Sequence, residues 1–172
     1  DGSKINLSLD YASERMIFLY NKLALQPIDL VVLMTTIICP TPAPARATIF
    51  CDKIVDRAIE TFAGSGLNVG VIISLESQRQ LLRYATAPEL QASGNADFES
   101  SIFIAAATPG VDIEMKAALN TLKGCDVFVL HSISYSESKR KQLAAYLDKP
   151  VIHARRLIAT AIREALERLA KP

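Results

Sequence analysis

Runs of consecutive apolar, β-branched residues constrain the fold of this chain more than any other feature. A strand with one face in water alternates apolar and polar residues, whereas a strand covered on both faces is apolar throughout. The first four runs are almost continuously apolar, so they predict strands of a parallel sheet with both faces covered. The five predicted strands are Ile28 to Met34, Asn68 to Ser74, Ser101 to Ala107, Asp126 to His131, and Val151 with Ile152.

Segments of helical length separate these strands. Ser136 is a good residue to begin one of them, because its hydroxyl can accept a hydrogen bond from a free amide of the first helical turn. Strands that alternate with helices form right-handed crossovers. The sequence therefore predicts an α/β fold with a doubly wound, mainly parallel sheet and helices on both faces, in one domain over residues 1–172. The predicted helices are about Leu7 to Leu25, Ala45 to Phe62, Gly110 to Leu122, from Ser136 onward, and Ala154 to Leu169, with a polar loop from Thr86 to Glu99.

The charge balance bounds the partners of the chain. Nineteen basic and eighteen acidic side chains leave a net charge of +1, without the basic face that nucleic-acid or membrane binding needs. No apolar run approaches the roughly 20 residues of a membrane span. We therefore expect no nucleic-acid or membrane partner, and a cytoplasmic location with reduced thiols.

The three cysteines predict neither a disulfide framework nor a metal site. Cys39, Cys51 and Cys125 lack metal-ligand spacing, and only two histidines accompany them. No nucleotide-binding fingerprint is present, so we expect no metal and no cofactor. Cys51, placed in mid-helix, and Cys125, at the amino end of its strand, are expected to be structural. Cys39 follows the first strand and is either an acid–base or nucleophilic thiol or a small buried hydrophobe.

Any ligand site is expected beyond the carboxyl ends of the strands, as in other open α/β sheets. The loops there are rich in hydroxyl groups and poor in acids. Hydroxyls and loop amides suit a carboxylate, although the same residues are ordinary helix caps. His131 and Ser132 are adjacent, so they point to opposite faces of the sheet. Ser132 could pair with His153, but no carboxylate is evident to orient that histidine.

The chain resembles the AroM family, within the aspartate/glutamate/hydantoin racemase superfamily. The residues from Gly124 to Ser136 are similar to the family's strand and its V-L-D-C-x-G-Y-T loop. Those from Lys149 to Ala159 resemble its K-P-V-I-L-P-R-S-L-V-A segment. The resemblance covers essentially the whole chain, and it implies that about one βαβ unit of the family's N-terminal part is absent.

In that superfamily two cysteines face each other across the substrate and move its α-proton. By carry-over, the first cysteine position holds Thr35 and the second holds Ser132. A hydroxyl has a far higher pKa than a thiol, so two-cysteine racemisation is not expected here. The resemblance further implies that the hydroxyls of Thr36 and Ser134 contact the oxygens of the substrate. It places Tyr135 and Arg155 where they line or support the crevice.

Three functions remain open on the sequence alone. The chain could be an isomerase or lyase that acts from one side on a small carboxylate or cyclic amide, with Cys39 or His131 supplying the proton and an oxyanion pocket stabilising the intermediate. It could be a non-catalytic protein that binds a small carboxylate. It could also be an assembly subunit whose sheet edge pairs with another chain, including a second copy in a homo-oligomer.

Overall fold

The computed structural model describes residues 8–38, 46–82 and 101–169. Helices and strands alternate along these ranges. The first half contains α1 (Leu9–Ala24), β1 (Val31–Leu33), β2 (Thr48–Phe50), α2 (Cys51–Gly64), β3 (Val69–Ile73) and a 3₁₀ helix (Glu76–Leu81). The second half contains β4 (Ile102–Ala106), α3 (Asp112–Thr121), β5 (Val127–Leu130), α4 (Glu137–Leu147), β6 (Val151–His153) and α5 (Ala154–Leu169).

The strands form two parallel sheets. The larger sheet has the strand order β4-β3-β5-β6, and the smaller one pairs β1 with β2. Val71, at the centre of β3, lies opposite Ile104 of β4 and Val129 of β5. Every residue of β3 and β5 is buried, so the two central strands are covered on both faces, as their continuous apolar runs predict.

Helices cover both faces of the larger sheet, which confirms the predicted doubly wound architecture. Burying an aliphatic or aromatic side chain of this kind stabilises the fold by about 1.5–3 kcal/mol. On one face α2 and α5 pack against the sheet, in a cluster that includes Val55, Ile59, Val71, Val129 and Ile158. On the other face α3 and α4 do so, in a cluster that includes Ile72, Met115, Phe128, Leu130 and Leu143.

The smaller sheet has its own core with α1. Tyr20 packs with Val31 and Leu33, and its hydroxyl lies 3.0 Å from Thr48 Oγ1. This contact joins α1 to β2, so the first helix and both strands of the smaller sheet form one unit.

The predicted helix from Ala45 to Phe62 is wrong at its start. Thr48–Phe50 forms β2, which pairs with β1, and the helix begins at Cys51. A short run of β-branched and aromatic residues favours a strand when a partner strand is available. Cys51 is therefore the first residue of α2 and not a mid-helix residue.

The other predicted helices and strands are present within a few residues of their expected ends. The predicted cap is confirmed, because Lys139 N–H donates to Ser136 Oγ at 3.1 Å. The predicted loop from Thr86 to Glu99 lies outside the described residues. Across the described ranges, the structure contains no helix with the length and apolarity that a membrane crossing requires.

Candidate functional site

Tyr135 holds together three strand ends at the carboxyl edge of the larger sheet. Its hydroxyl lies 3.0 Å from the carbonyl oxygen of Ile73, which ends β3, and also bonds the carbonyl of Ala107, just beyond β4. The phenol is buried, and burial raises its pKa above the usual value for tyrosine. The hydroxyl therefore stays protonated, and it anchors the loop after β5 to the ends of β3 and β4.

Ser132 and Ser134 form a tight turn in this loop. Ser132 Oγ accepts the Ser134 N–H at 3.2 Å and donates to Ser134 Oγ at 3.1 Å. Ser132 is buried, whereas Ser134 is exposed. Because Ser134 Oγ accepts in this contact, its own proton is left to be donated outward. Helix α4 begins three residues later, and the N-terminus of a helix carries a partial positive charge.

Arg155 supports the same turn from α5. Its Nε donates to the carbonyl oxygen of Ile133 at 3.0 Å, and its Nη2 donates to the same oxygen. The guanidinium group is thus bonded to the backbone between Ser132 and Ser134. This contact gives Arg155 a supporting position beneath the turn.

The loop after β1 is attached to the segment that follows β3. Thr35 Oγ1 lies 3.2 Å from Ile37 O and 3.3 Å from Ile37 N, and Thr36 is buried. The amide of Ile38 donates to Leu81 O at 3.0 Å. Both hydroxyl-bearing loops are therefore tied to backbone at or beyond the end of β3. Within the described ranges, however, no hydrogen bond joins Thr35 or Thr36 to the serine turn. Cys39 lies outside the described residues.

His131 faces α2. Its Nε2 lies 3.7 Å from Asp56 Oδ1, and the two residues are only 1 % and 3 % exposed. Glu60, one helical turn further along α2, is also buried and accepts a hydrogen bond from Arg57 at 2.7 Å. In this conformation the imidazole of His131 contacts the buried carboxylate of Asp56.

His153 is likewise bound inside the protein. Its Nε2 lies 2.9 Å from the carbonyl oxygen of Tyr135, and since a carbonyl can only accept, Nε2 carries the proton. Its Nδ1 lies 3.5 Å from Glu137 Oε2. Burial lowers the pKa of His153, against the opposing effect of these two contacts. A hydrogen bond from Arg140 lowers the pKa of Glu137 to about 2, so this carboxylate is ionised at neutral pH.

Each histidine therefore has a carboxylate beside it, although the sequence made none evident for His153. Asp56 accompanies His131, and Glu137 accompanies His153. The sequence contained an indication of the buried Asp56 carboxylate, because Asp56 and Glu60 are four residues apart on the face of α2 that also carries the apolar core residues. The Ser132–His153 pair considered from the sequence is not formed, since the Ser132 hydroxyl bonds Ser134 instead.

Two of the cysteines are inert at neutral pH. Cys51 and Cys125 are free thiols and buried. Burial, together with the nearby carboxylate of Asp52, raises the pKa of Cys51 to about 11. Burial also raises the pKa of Cys125. A thiolate is the reactive form of cysteine, so neither group is a nucleophile or proton-transfer group here. Among the residues that the structure describes, no cluster of three or more His, Cys, Asp or Glu side chains is placed to hold a metal ion.

These features define an α/β protein with two parallel sheets and a hydroxyl-lined loop at the carboxyl edge of the larger one. The chain belongs to the AroM family: the sequence model of that family, described as AroM protein, matches residues 1–166. No curated protein matches it. Among solved structures, it is similar to a glycine-to-cysteine mutant of arylmalonate decarboxylase in its sulfate-ion-associated form. That likeness covers 92% of this chain and 79% of the other, at 13% identity and a TM-score of 0.45.

Proposed function

We propose that this AroM-family chain binds a small carboxylate or cyclic amide at the carboxyl edge of its larger sheet, in front of the Ser132–Ser134 turn. The observation that carries the proposal is the exposed hydroxyl of Ser134, whose proton is left free by the contact with Ser132. A carboxylate or amide oxygen is the natural acceptor for this donor. The N-terminus of α4, three residues on, adds a favourable potential for an anion.

The rigidity of the turn supports binding at this place. Tyr135 anchors it to β3 and β4, and Arg155 anchors it to α5. A donor that is already held in position loses little conformational freedom when a ligand arrives, so less of the binding free energy is lost to ordering.

We further propose that any proton transfer by this chain is one-sided and uses Cys39. His131 and His153 are each about 1 % exposed and bound to internal groups. The hydroxyls of Thr35 and Ser132 are poor proton-transfer groups without a base to activate them. Cys39 is the remaining candidate thiol, placed by the sequence in the loop after β1. If Cys39 moves no proton, the proposed activity is carboxylate binding alone.

The binding proposal is tested by titrating the protein with α-amino acids, α-hydroxy acids, malonate-type acids and hydantoins, followed by calorimetry and by amide chemical shifts. We expect at least one compound class to bind and to shift the Ser134 amide. Ser134→Ala should weaken that binding about 2- to 12-fold, because one hydrogen bond contributes about 0.5–1.5 kcal/mol. Ser65→Ala is the matched control: Ser65 is exposed, and its hydroxyl bonds Thr61 O at the end of α2. Unchanged affinity in Ser134→Ala would place the ligand elsewhere, and no binding across the panel would refute the proposal.

The proton-transfer proposal is tested with any compound that binds, by proton NMR in D₂O. We expect loss of the α-proton signal, or a decarboxylated product, with the wild-type protein and with Thr35→Ala. Cys39→Ala should abolish the reaction while leaving the affinity unchanged. Binding without exchange or turnover would show that the chain is a binding protein. Turnover that survives Cys39→Ala would show that another group moves the proton.

A further inference from the structure

Among the residues that the structure describes, no strand pairs with the outer side of β6, so β6 is an edge of the larger sheet. It is the last strand in the order β4-β3-β5-β6. The amide of Phe128 donates to Pro150 O at 3.0 Å, so Pro150, and Ile152 two residues on, direct their backbone groups toward β5. Backbone groups alternate in direction along a strand. The N–H and C=O of Val151 therefore point away from β5, toward the open edge.

A groove runs along this edge between two helices. It has a volume of about 620 Å³, within the range of roughly 300–1,000 Å³ that is typical of binding pockets. Its walls are Arg140 and Ala144 of α4, and Arg156, Leu157 and Ala161 of α5, with β6 as the floor. Because both helices flank the open edge, an added strand would be covered on both faces, as β3 and β5 are.

The polar part of the groove is cationic. Arg140 and Arg156 both approach the carboxylate of Glu137, at 2.7 and 3.5 Å. Two guanidinium groups around one carboxylate leave a net positive charge. The Arg156 side chain is 66 % exposed and can turn toward an incoming acid.

We propose that this groove binds an extended, acidic peptide segment of a partner protein, which adds to the sheet as a further strand beside β6. The peptide backbone pairs with the free N–H and C=O of Val151, its apolar side chains contact Ala144 and Leu157, and an Asp or Glu side chain meets Arg156. A small free carboxylate would satisfy the arginine but leave the backbone of Val151 unpaired. A second copy of the chain, paired edge to edge, would bring the arginines of both copies together, and like charges in an interface oppose association.

The test is selection of peptides from a displayed library of random octapeptides against the full chain, followed by calorimetry with the synthetic form of the strongest binder. We expect selected peptides that alternate apolar residues and carry Asp or Glu. Arg156→Glu should weaken the binding by at least about tenfold, which corresponds to about 1.4 kcal/mol. Arg163→Glu is the matched control, since Arg163 is also on α5, is also 66 % exposed and does not line the groove. This variant should change the affinity by less than about twofold.

A second variant tests the backbone pairing. Val151→Pro removes the outward N–H but no hydrogen bond to β5, and proline is tolerated at such positions of an edge strand. Because the Val151 side chain is buried in the core, Val151→Ala is the control for its loss. We expect Val151→Pro to weaken binding by at least about tenfold while the amide NMR spectrum remains that of the folded protein. The proposal is overturned if no acidic peptide is selected, if Arg163→Glu weakens binding as much as Arg156→Glu, or if hexanoate displaces the peptide at equal concentration. It is also overturned if sedimentation shows a dimer that Val151→Pro dissociates.

Discussion

Replacement of Tyr135 by phenylalanine tests whether one hydroxyl group organises the carboxyl edge of the sheet. The phenol is buried and bonds the carbonyl oxygens of Ile73 and Ala107. Tyr135→Phe keeps the aromatic ring and removes the donor, so Ala107 O loses the bond from the phenol, whereas Ile73 O still accepts the Ala107 N–H at 2.9 Å. Leaving one buried polar group unsatisfied costs about 1–3 kcal/mol. We therefore expect the free energy of unfolding to fall by that amount.

Urea denaturation followed by circular dichroism measures this loss. With a slope of about 2 kcal/mol per molar urea, typical of a small protein, the midpoint should fall by about 0.5–1.5 M. Tyr146→Phe is the control, because Tyr146 is 77 % exposed and should tolerate the same change with little effect. A loss below about 0.5 kcal/mol in Tyr135→Phe, equal to that of the control, would refute the anchoring role.

Hydrogen exchange reports where the loss occurs. If Tyr135 anchors the loop after β5, the amide of Ser134 should exchange faster in Tyr135→Phe, because the turn opens locally more often. The same variant should then bind the proposed carboxylate ligand more weakly, because the Ser134 donor is held less firmly in position. Faster exchange across the whole sheet with no excess at the turn would instead indicate a general loss of stability.

Three further predictions follow from individual groups. In the native state the pKa of Tyr135 is raised, while an unfolded tyrosine ionises near pH 10. The free energy of unfolding should therefore decline as the pH rises above about 10, and less steeply in Tyr135→Phe, as measured by urea titrations at alkaline pH. The native pKa of His153 is lowered, while an unfolded histidine titrates near pH 6.5. The free energy of unfolding should therefore decline as the pH falls below about 6.5. Urea titrations between neutral and mildly acidic pH should show a shallower decline in His153→Gln than in the wild type. Asp148 follows the last residue of α4 and lies in the left-handed region at φ +50°. Asp148→Gly should therefore raise the free energy of unfolding by about 0.5–1 kcal/mol, and a lower urea midpoint would contradict the assigned strain.

The sequence by itself determined the α/β class, the helix-covered parallel sheet and the family of this protein, but not the separation of β1 and β2 into a sheet of their own. Continuous apolar runs predict strands covered on both faces, since such a pattern leaves no polar side for water, and β3 and β5 are buried throughout. The cap at Ser136 was also readable, because it depends on residues three positions apart. These features are local in the chain, and the resemblance to the AroM family is likewise carried by contiguous segments.

Only the tertiary structure decided which polar groups meet. Asp56 lies 75 positions before His131 in the chain, and nothing local links the two, yet α2 packs against the end of β5 and brings their side chains to 3.7 Å. Strand β2 forms because it pairs with β1, whereas from the sequence its three residues were predicted to belong to a helix. Within the described ranges, a groove lies beside β6 because the strand order of the larger sheet ends there, and no single run of residues indicates that order. Pairing across a fold depends on which surfaces pack together, whereas hydrophobic periodicity depends only on neighbours in the chain.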